Sequence, residues 1–143
     1  MGTSESAVVN DISAVPDDKV IDTILAKYKN KVILIDLWAT WCQPCLNAMD
    51  RFKATKASYL DKDVVFVYVT NTSSPYKLWN EKIKGIGNEH YYLSEPQWVS
   101  LMDQFGFDAI PSYLLYDKKG ELKNKFTAFP ENNEVIAMID ALL

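Results

Sequence analysis

Cys42 and Cys45 stand two residues apart in Trp41-Cys42-Gln43-Pro44-Cys45, and they are the two cysteines of a 143-residue chain. The run Val32 to Trp38 before them is nearly continuous in apolar residues and too short for a helix of its own. Leu46, Met49, Phe52, Lys53, Lys56 and Leu60 after them repeat at helical spacing. The pair therefore sits where a buried strand turns into a helix, with Cys42 at the helix amino end. Unpaired backbone N–H groups and the positive end of the helix dipole favour a thiolate there. A lowered pKa makes a cysteine both a nucleophile at neutral pH and a good leaving group. Cys45, one turn deeper, is close enough to close a disulfide and more screened, so Cys42 is expected to attack and Cys45 to resolve. Pro44 falls at an early helical position where its missing N–H costs little, and it stiffens the turn.

Other cysteine chemistries fit less well. An inert staple closing so small a ring removes little entropy from the unfolded chain. A structural zinc site needs four ligands, and the whole chain offers two thiols and one histidine. No metal site is expected, and His90, beside a short strand, is left out of the site.

Asp36 is the independent clue. It interrupts Val32-Ile33-Leu34-Ile35-Asp36-Leu37-Trp38, and a strand apolar on both faces buries whatever it carries. Burial of a lone carboxylate is costly and raises its pKa. That suits a group that takes a proton from Cys45 and returns it during turnover.

The elements that must position these residues can be read along the chain. Val20, Ile21, Ile24, Leu25 and Tyr28 predict a helix entered near Pro16-Asp17-Asp18. The β-branched and aromatic run Val64 to Val69 predicts a second buried strand, completing a strand-helix-strand unit with a parallel central sheet. Turn signals at Asn71 to Pro75 precede a short helical pattern through Leu78, Trp79 and Ile83, and Tyr91 to Leu93 reads as a short strand. Ser94 with Gln97 forms a capping box ahead of Trp98, Leu101, Met102 and Phe105. Two strands, Ser112 to Asp117 and Glu121 to Thr127, flank a hairpin-length turn, and a helix from Glu131 closes the chain. Residues 1–16 read as a flexible extension or linker, and 17–143 as one domain.

With 48% apolar and 24% charged residues, the chain can build a core. Fifteen basic against nineteen acidic side chains leave a net charge of −4, which argues against nucleic acid as a partner. Its apolar runs are far shorter than the ~20 residues of a membrane-spanning helix.

Ile35-Asp36-Leu37-Trp38-Ala39-Thr40-Trp41-Cys42-Gln43-Pro44-Cys45, followed downstream by Ala109-Ile110-Pro111-Ser112-Tyr113-Leu114-Leu115-Tyr116, resembles the thioredoxin superfamily from about Asp17 to Leu143. The resemblance implies an α/β thioredoxin-like fold, a central mixed sheet flanked by helices. It also implies a cis bond before Pro111, with Pro111 against the cysteine pair and Ile110 offering its backbone to an extended substrate. Trp41, like the matching tryptophan, is expected to show a flat face to the incoming chain, and Phe107 and Phe129 to widen that platform. The Cys45-to-Pro111 separation is longer than in a minimal thioredoxin, and the surplus lies in residues 71–93. Such an insertion, between the βαβ unit and the cis-Pro hairpin, resembles the extracytoplasmic TlpA/ResA-like branch, which reduces protein disulfides.

The chain departs from those patterns at four places. Ala48 stands where that branch usually has Glu, and Asp50 where a helix-kinking proline is common. No lysine occurs in Val64 to Asn71, which leaves Asp36 without the cation that thioredoxins place on that strand. Gln43 replaces the thioredoxin glycine between the cysteines. The expected function is a thiol-disulfide oxidoreductase, in the reducing direction because no His lies between the cysteines. It needs no cofactor, only a protein or peptide disulfide substrate and an upstream thiol donor. The domain is expected to be a monomer in the bacterial periplasm or cell envelope, with a membrane-anchored parent as one origin and the cytoplasm as the alternative location. The competing reading is a peptide-binding or chaperone-like module with a structural disulfide.

Overall fold

The computed structural model describes residues 6–143. In chain order it contains β1 (Ala7–Asn10), α1 (Val20–Lys27), β2 (Val32–Leu37), α2 (Gln43–Ala57), β3 (Val64–Asn71), α3 (Tyr76–Lys82), β4 (Asn88–Leu93), α4 (Glu95–Phe105), β5 (Ser112–Tyr116), β6 (Leu122–Thr127) and α5 (Asn132–Asp140). The strands form one sheet in the order β1-β4-β3-β2-β5-β6. The first four in that order run parallel, whereas β5 is antiparallel to β2 and β6 to β5.

Every residue of β2 is buried, as expected of a central strand covered on both faces. Alternation along it sorts the core into two layers. Val32 and Leu34 pack with Cys45, Phe52, Trp79, Val135 and Ile139 on the α2, α3 and α5 side. Ile33, Ile35 and Leu37 pack with Ile21, Ile24, Tyr91 and Leu101 on the α1 and α4 side. Asp36 shares the parity of Leu34 and so faces the cysteine-bearing helix. With Asp50 in place of the expected proline, α2 runs unbroken for 15 residues.

The capping box forms as its sequence predicts. Ser94 N donates to Gln97 Oε1 at 3.0 Å, and Gln97 N donates to Ser94 Oγ at 3.3 Å. Gln97 Nε2 also donates to the carbonyls of Ile12 and Val15, each at 3.0 Å. That tie corrects the N-terminal boundary. Residues 7–10, expected within a flexible extension, form an edge strand paired with Asn88 to Tyr91, and Ile12 is buried in the α1 and α4 layer. Residues 1–5 of that stretch lie outside the described residues.

The surplus at 71–93 comprises α3, a single 3-10 turn at Ile83–Gly85 and β4. Of its side chains, Trp79, His90, Tyr91 and Leu93 are fully buried, so the insertion is part of the core rather than an appendage. Among the described residues no helix is long and apolar enough to cross a membrane.

Candidate active site

Cys42 is the N-cap of α2, and Cys45 lies in its first turn. The two are joined by a disulfide, and Cys45 N donates to Cys42 Sγ at 3.2 Å. The amide that would otherwise be unpaired at the helix start is thus aimed at the sulfur that must carry charge. Cys42 is 4% exposed and Cys45 1%. Pro44 lies in the first turn, and Gln43 Nε2 donates to Asn47 Oδ1 at 2.9 Å, so both side chains face outward from the helix start.

The Ile110–Pro111 bond is cis. Cys42 Sγ lies 3.9 Å from the carbonyl oxygen of Ile110, so the loop ahead of β5 meets the cysteine pair. That loop is fixed on both flanks. Ala128 N donates to Pro111 O at 2.9 Å, and Ser112 Oγ donates to Ala109 O at 2.6 Å. Trp41, directly before Cys42, is 63% exposed.

The two phenylalanines expected to widen this surface do not do so. Phe129 packs edge-on against Phe52 and Tyr113 in the α2 layer, whereas Phe107 packs beside Phe105 in the α1 and α4 layer. Opposite faces of the sheet claim them, which loop position alone does not reveal.

Asp36 lies in a row of polar side chains that crosses the sheet, because its register partners are Tyr68 on β3 and Tyr113 on β5, and Tyr68 pairs with His90 on β4. Asp36 is 8% exposed. Burial pushes its carboxyl up to about 8, with the charge of Lys56 pulling the other way. Its Oδ1 and the Tyr113 hydroxyl have no hydrogen-bond partner among the described residues. Both residues line a cavity of about 20 Å³ whose other walls include Ala48, Phe52 and Phe129. That volume is enough for about one water, and Ala48, one helical turn beyond Cys45, forms its roof where a larger side chain would fill it.

Lys56 corrects the expectation that Asp36 has no nearby cation. It continues the inward stripe of Cys45, Ala48 and Phe52 along α2, so its stem crosses the core layer to reach the sheet. Its Nζ donates to Tyr68 Oη at 2.8 Å and to Ile86 O at 3.0 Å. The charge arrives from the helix and not from the neighbouring strand, so the composition of β3 does not reveal it. Replacing Lys56 by Met is expected to move the Asp36 ionisation midpoint above its wild-type position near 8. Carboxyl carbon chemical shifts followed against pH would show this, and a wild-type midpoint near 4 would contradict the burial argument.

His90, which its sequence context left out of the site, is fully buried and stacked on Tyr68 at 5.2 Å between ring centroids. Nε2 lies 2.6 Å from the Gly87 carbonyl oxygen and so must carry the hydrogen of a neutral ring. Burial holds its pKa down near 4. Among the described residues no group of three or more His, Cys, Asp or Glu side chains is placed to hold a metal ion.

A family model described as Redoxin matches residues 9–142. The thiol-disulfide oxidoreductase ResA of Geobacillus thermodenitrificans is 26% identical over 122 residues, which are 82% of this chain and 67% of that protein. A candidate thiol-disulfide oxidoreductase of known structure from Bacteroides vulgatus superposes with a TM-score of 0.67 at 34% identity, covering 83% of each chain. A thioredoxin-family thiol:disulfide interchange protein from Chlorobium tepidum, 16% identical, superposes with a TM-score of 0.69 over 82% of this chain and 83% of that one, and so shares the fold.

Proposed function

The chain belongs to the Redoxin family, and from that premise we propose that it is a thiol-disulfide oxidoreductase that reduces disulfides in protein substrates through Cys42 and Cys45. The observation that carries the reading is the placement of Cys42 Sγ. It receives the Cys45 amide at the start of α2 and faces the Ile110 carbonyl beside Pro111.

In the reduced protein the Cys42 thiolate attacks one sulfur of the substrate disulfide, and that bond breaks with release of a substrate thiolate. Cys45 loses its proton to Asp36 and attacks Cys42 Sγ in the mixed disulfide. The second substrate sulfur then leaves, and the Cys42–Cys45 disulfide forms. Two electrons pass from the dithiol to the substrate, and Asp36 returns the proton to a departing thiolate. Trp41 offers a flat apolar face to the substrate chain, while Ile110 and Pro111 present backbone to it. Gln43 and Pro44 shape the turn between the sulfurs. The exchange is written wholly with these sulfurs and one carboxyl, so it calls on no cofactor, and an upstream dithiol donor regenerates the pair.

The insertion at 71–93 supports placing the domain in the TlpA/ResA-like branch and in the cell envelope, outside the cytoplasm. Alkylation separates catalysis from a peptide-binding role with an inert disulfide. After mild reduction one thiol, Cys42, is expected to react much faster than the other, whereas uniformly slow reaction at both sulfurs would favour the binding module.

A further inference from the structure

The turn at the start of the insertion is tied to the redox loop. Thr40 N donates to Ser74 Oγ at 3.0 Å, and Trp41 Nε1 donates to Ser73 Oγ at 2.9 Å. Ser74 is fully buried, its Oγ 2.7 Å from Thr70 Oγ1, and its carbonyl receives the Tyr92 hydroxyl at 2.6 Å. The two residues before Cys42 are therefore fastened to this turn.

The polarity of the chain of bonds ending on Trp41 can be followed atom by atom. Asn71 is 5% exposed, and its Nδ2 donates to Glu95 Oε1 at 2.9 Å at the start of α4. That bond turns Asn71 Oδ1 toward Ser73, where it accepts from the backbone N at 3.1 Å and from Oγ at 2.6 Å. A serine hydroxyl has one hydrogen. With it given to Asn71, the oxygen presents lone pairs to the indole, which can only donate. A carboxylate thus orients an amide, the amide a hydroxyl and the hydroxyl the ring.

We propose that Ser73, held by Asn71 and Glu95, is a positioning residue that fixes the Trp41 indole as a preorganised docking face for protein substrates. The inference rests on the oxidoreductase reading and adds to it a task for the insertion. An indole this exposed is otherwise free to rotate, and a substrate must order it on arrival. A small disulfide, which needs only the sulfur, gains nothing from the fixed ring.

The test compares wild type, Ser73→Ala and Ser73→Thr, using insulin as protein substrate with dithiothreitol as donor, and 5,5′-dithiobis(2-nitrobenzoate) as small disulfide. Ser73 is exposed, so the alanine variant removes one hydroxyl from the surface. Ser73→Ala is expected to raise KM for insulin about three- to tenfold with kcat little changed, the size of effect expected when one side chain must be ordered on binding. Its rate with the small disulfide should equal that of wild type, its Trp41 indole N–H resonance should shift, and Ser73→Thr should restore both KM and resonance. An unchanged KM for insulin, or equal slowing with both substrates, would overturn the inference. Failure of the wild type to reduce the small disulfide would instead overturn the oxidoreductase reading on which it rests.

Discussion

Replacing Cys42 by Ser is expected to reduce turnover to the uncatalysed background, a loss of at least about 10³-fold. A serine hydroxyl is not ionised near neutral pH and cannot form the mixed disulfide. The burial of both sulfurs sharpens the contrast with Cys45→Ser, which leaves the attacking group in place. That variant should react once and stop, accumulating a mixed disulfide between Cys42 and the substrate, visible as a mass increase removed by reductant. Turnover by Cys42→Ser, or trapping of substrate on Cys45 instead, would reverse the assigned roles. Rates and adduct masses on the two variants check this directly.

The second large effect is expected of Asp36→Asn, on stability as well as on rate. A carboxyl whose pKa rises from 3.8 in the unfolded chain to about 8 in the folded one binds more protons when folded across that interval. Stability is then highest below pH 3.8 and falls as pH rises toward 8, by at most about 1.4 kcal/mol per pH unit. The asparagine variant carries no such penalty. It should be more stable than wild type by roughly 2–4 kcal/mol at pH 8, with the difference shrinking toward zero near pH 4. Urea unfolding of the oxidised proteins at the two pH values would show it. On rate, the loss of a proton acceptor matched to a thiol should slow turnover roughly tenfold near pH 7. The difference should fade above about pH 9, where a thiol of ordinary pKa ionises unaided. A variant that is no more stable at pH 8, or equally fast at pH 7, would remove Asp36 from the proposed proton path.

The parts of this fold that could be read in the sequence are those that local chemistry dictates. The strand-helix-strand unit around the cysteines follows from period and composition, and Ser94 with Gln97 announces α4 by a pattern confined to four residues. The cis bond before Pro111 follows from the resemblance, since nothing in the dipeptide itself requires it. What sequence did not disclose depends on partners distant along the chain. Residues 7–10 carry no strong alternation, with two half-buried residues flanking two exposed ones. Their strand is fixed by pairing with β4, by Gln97 gripping the carbonyls of Ile12 and Val15, and by Asn10 donating to Glu89 and to the His90 carbonyl. Lys56 likewise reads as a polar position on an amphipathic helix, and its reach to Tyr68 appears only when α2 lies on the sheet. His90 looks unremarkable between Glu89 and Tyr91, yet register places it two strands from Asp36 in the same row.

The most direct test is the reduction potential of the Cys42/Cys45 couple, obtained by equilibrating the protein with defined thiol–disulfide buffers and counting free thiols. A reversible two-electron couple is expected, nearer the ~−270 mV of thioredoxin than the ~−120 mV of a strong periplasmic oxidant. A value close to the oxidant would reverse the direction of electron flow, and a pair that never equilibrates would contradict dithiol-disulfide exchange altogether.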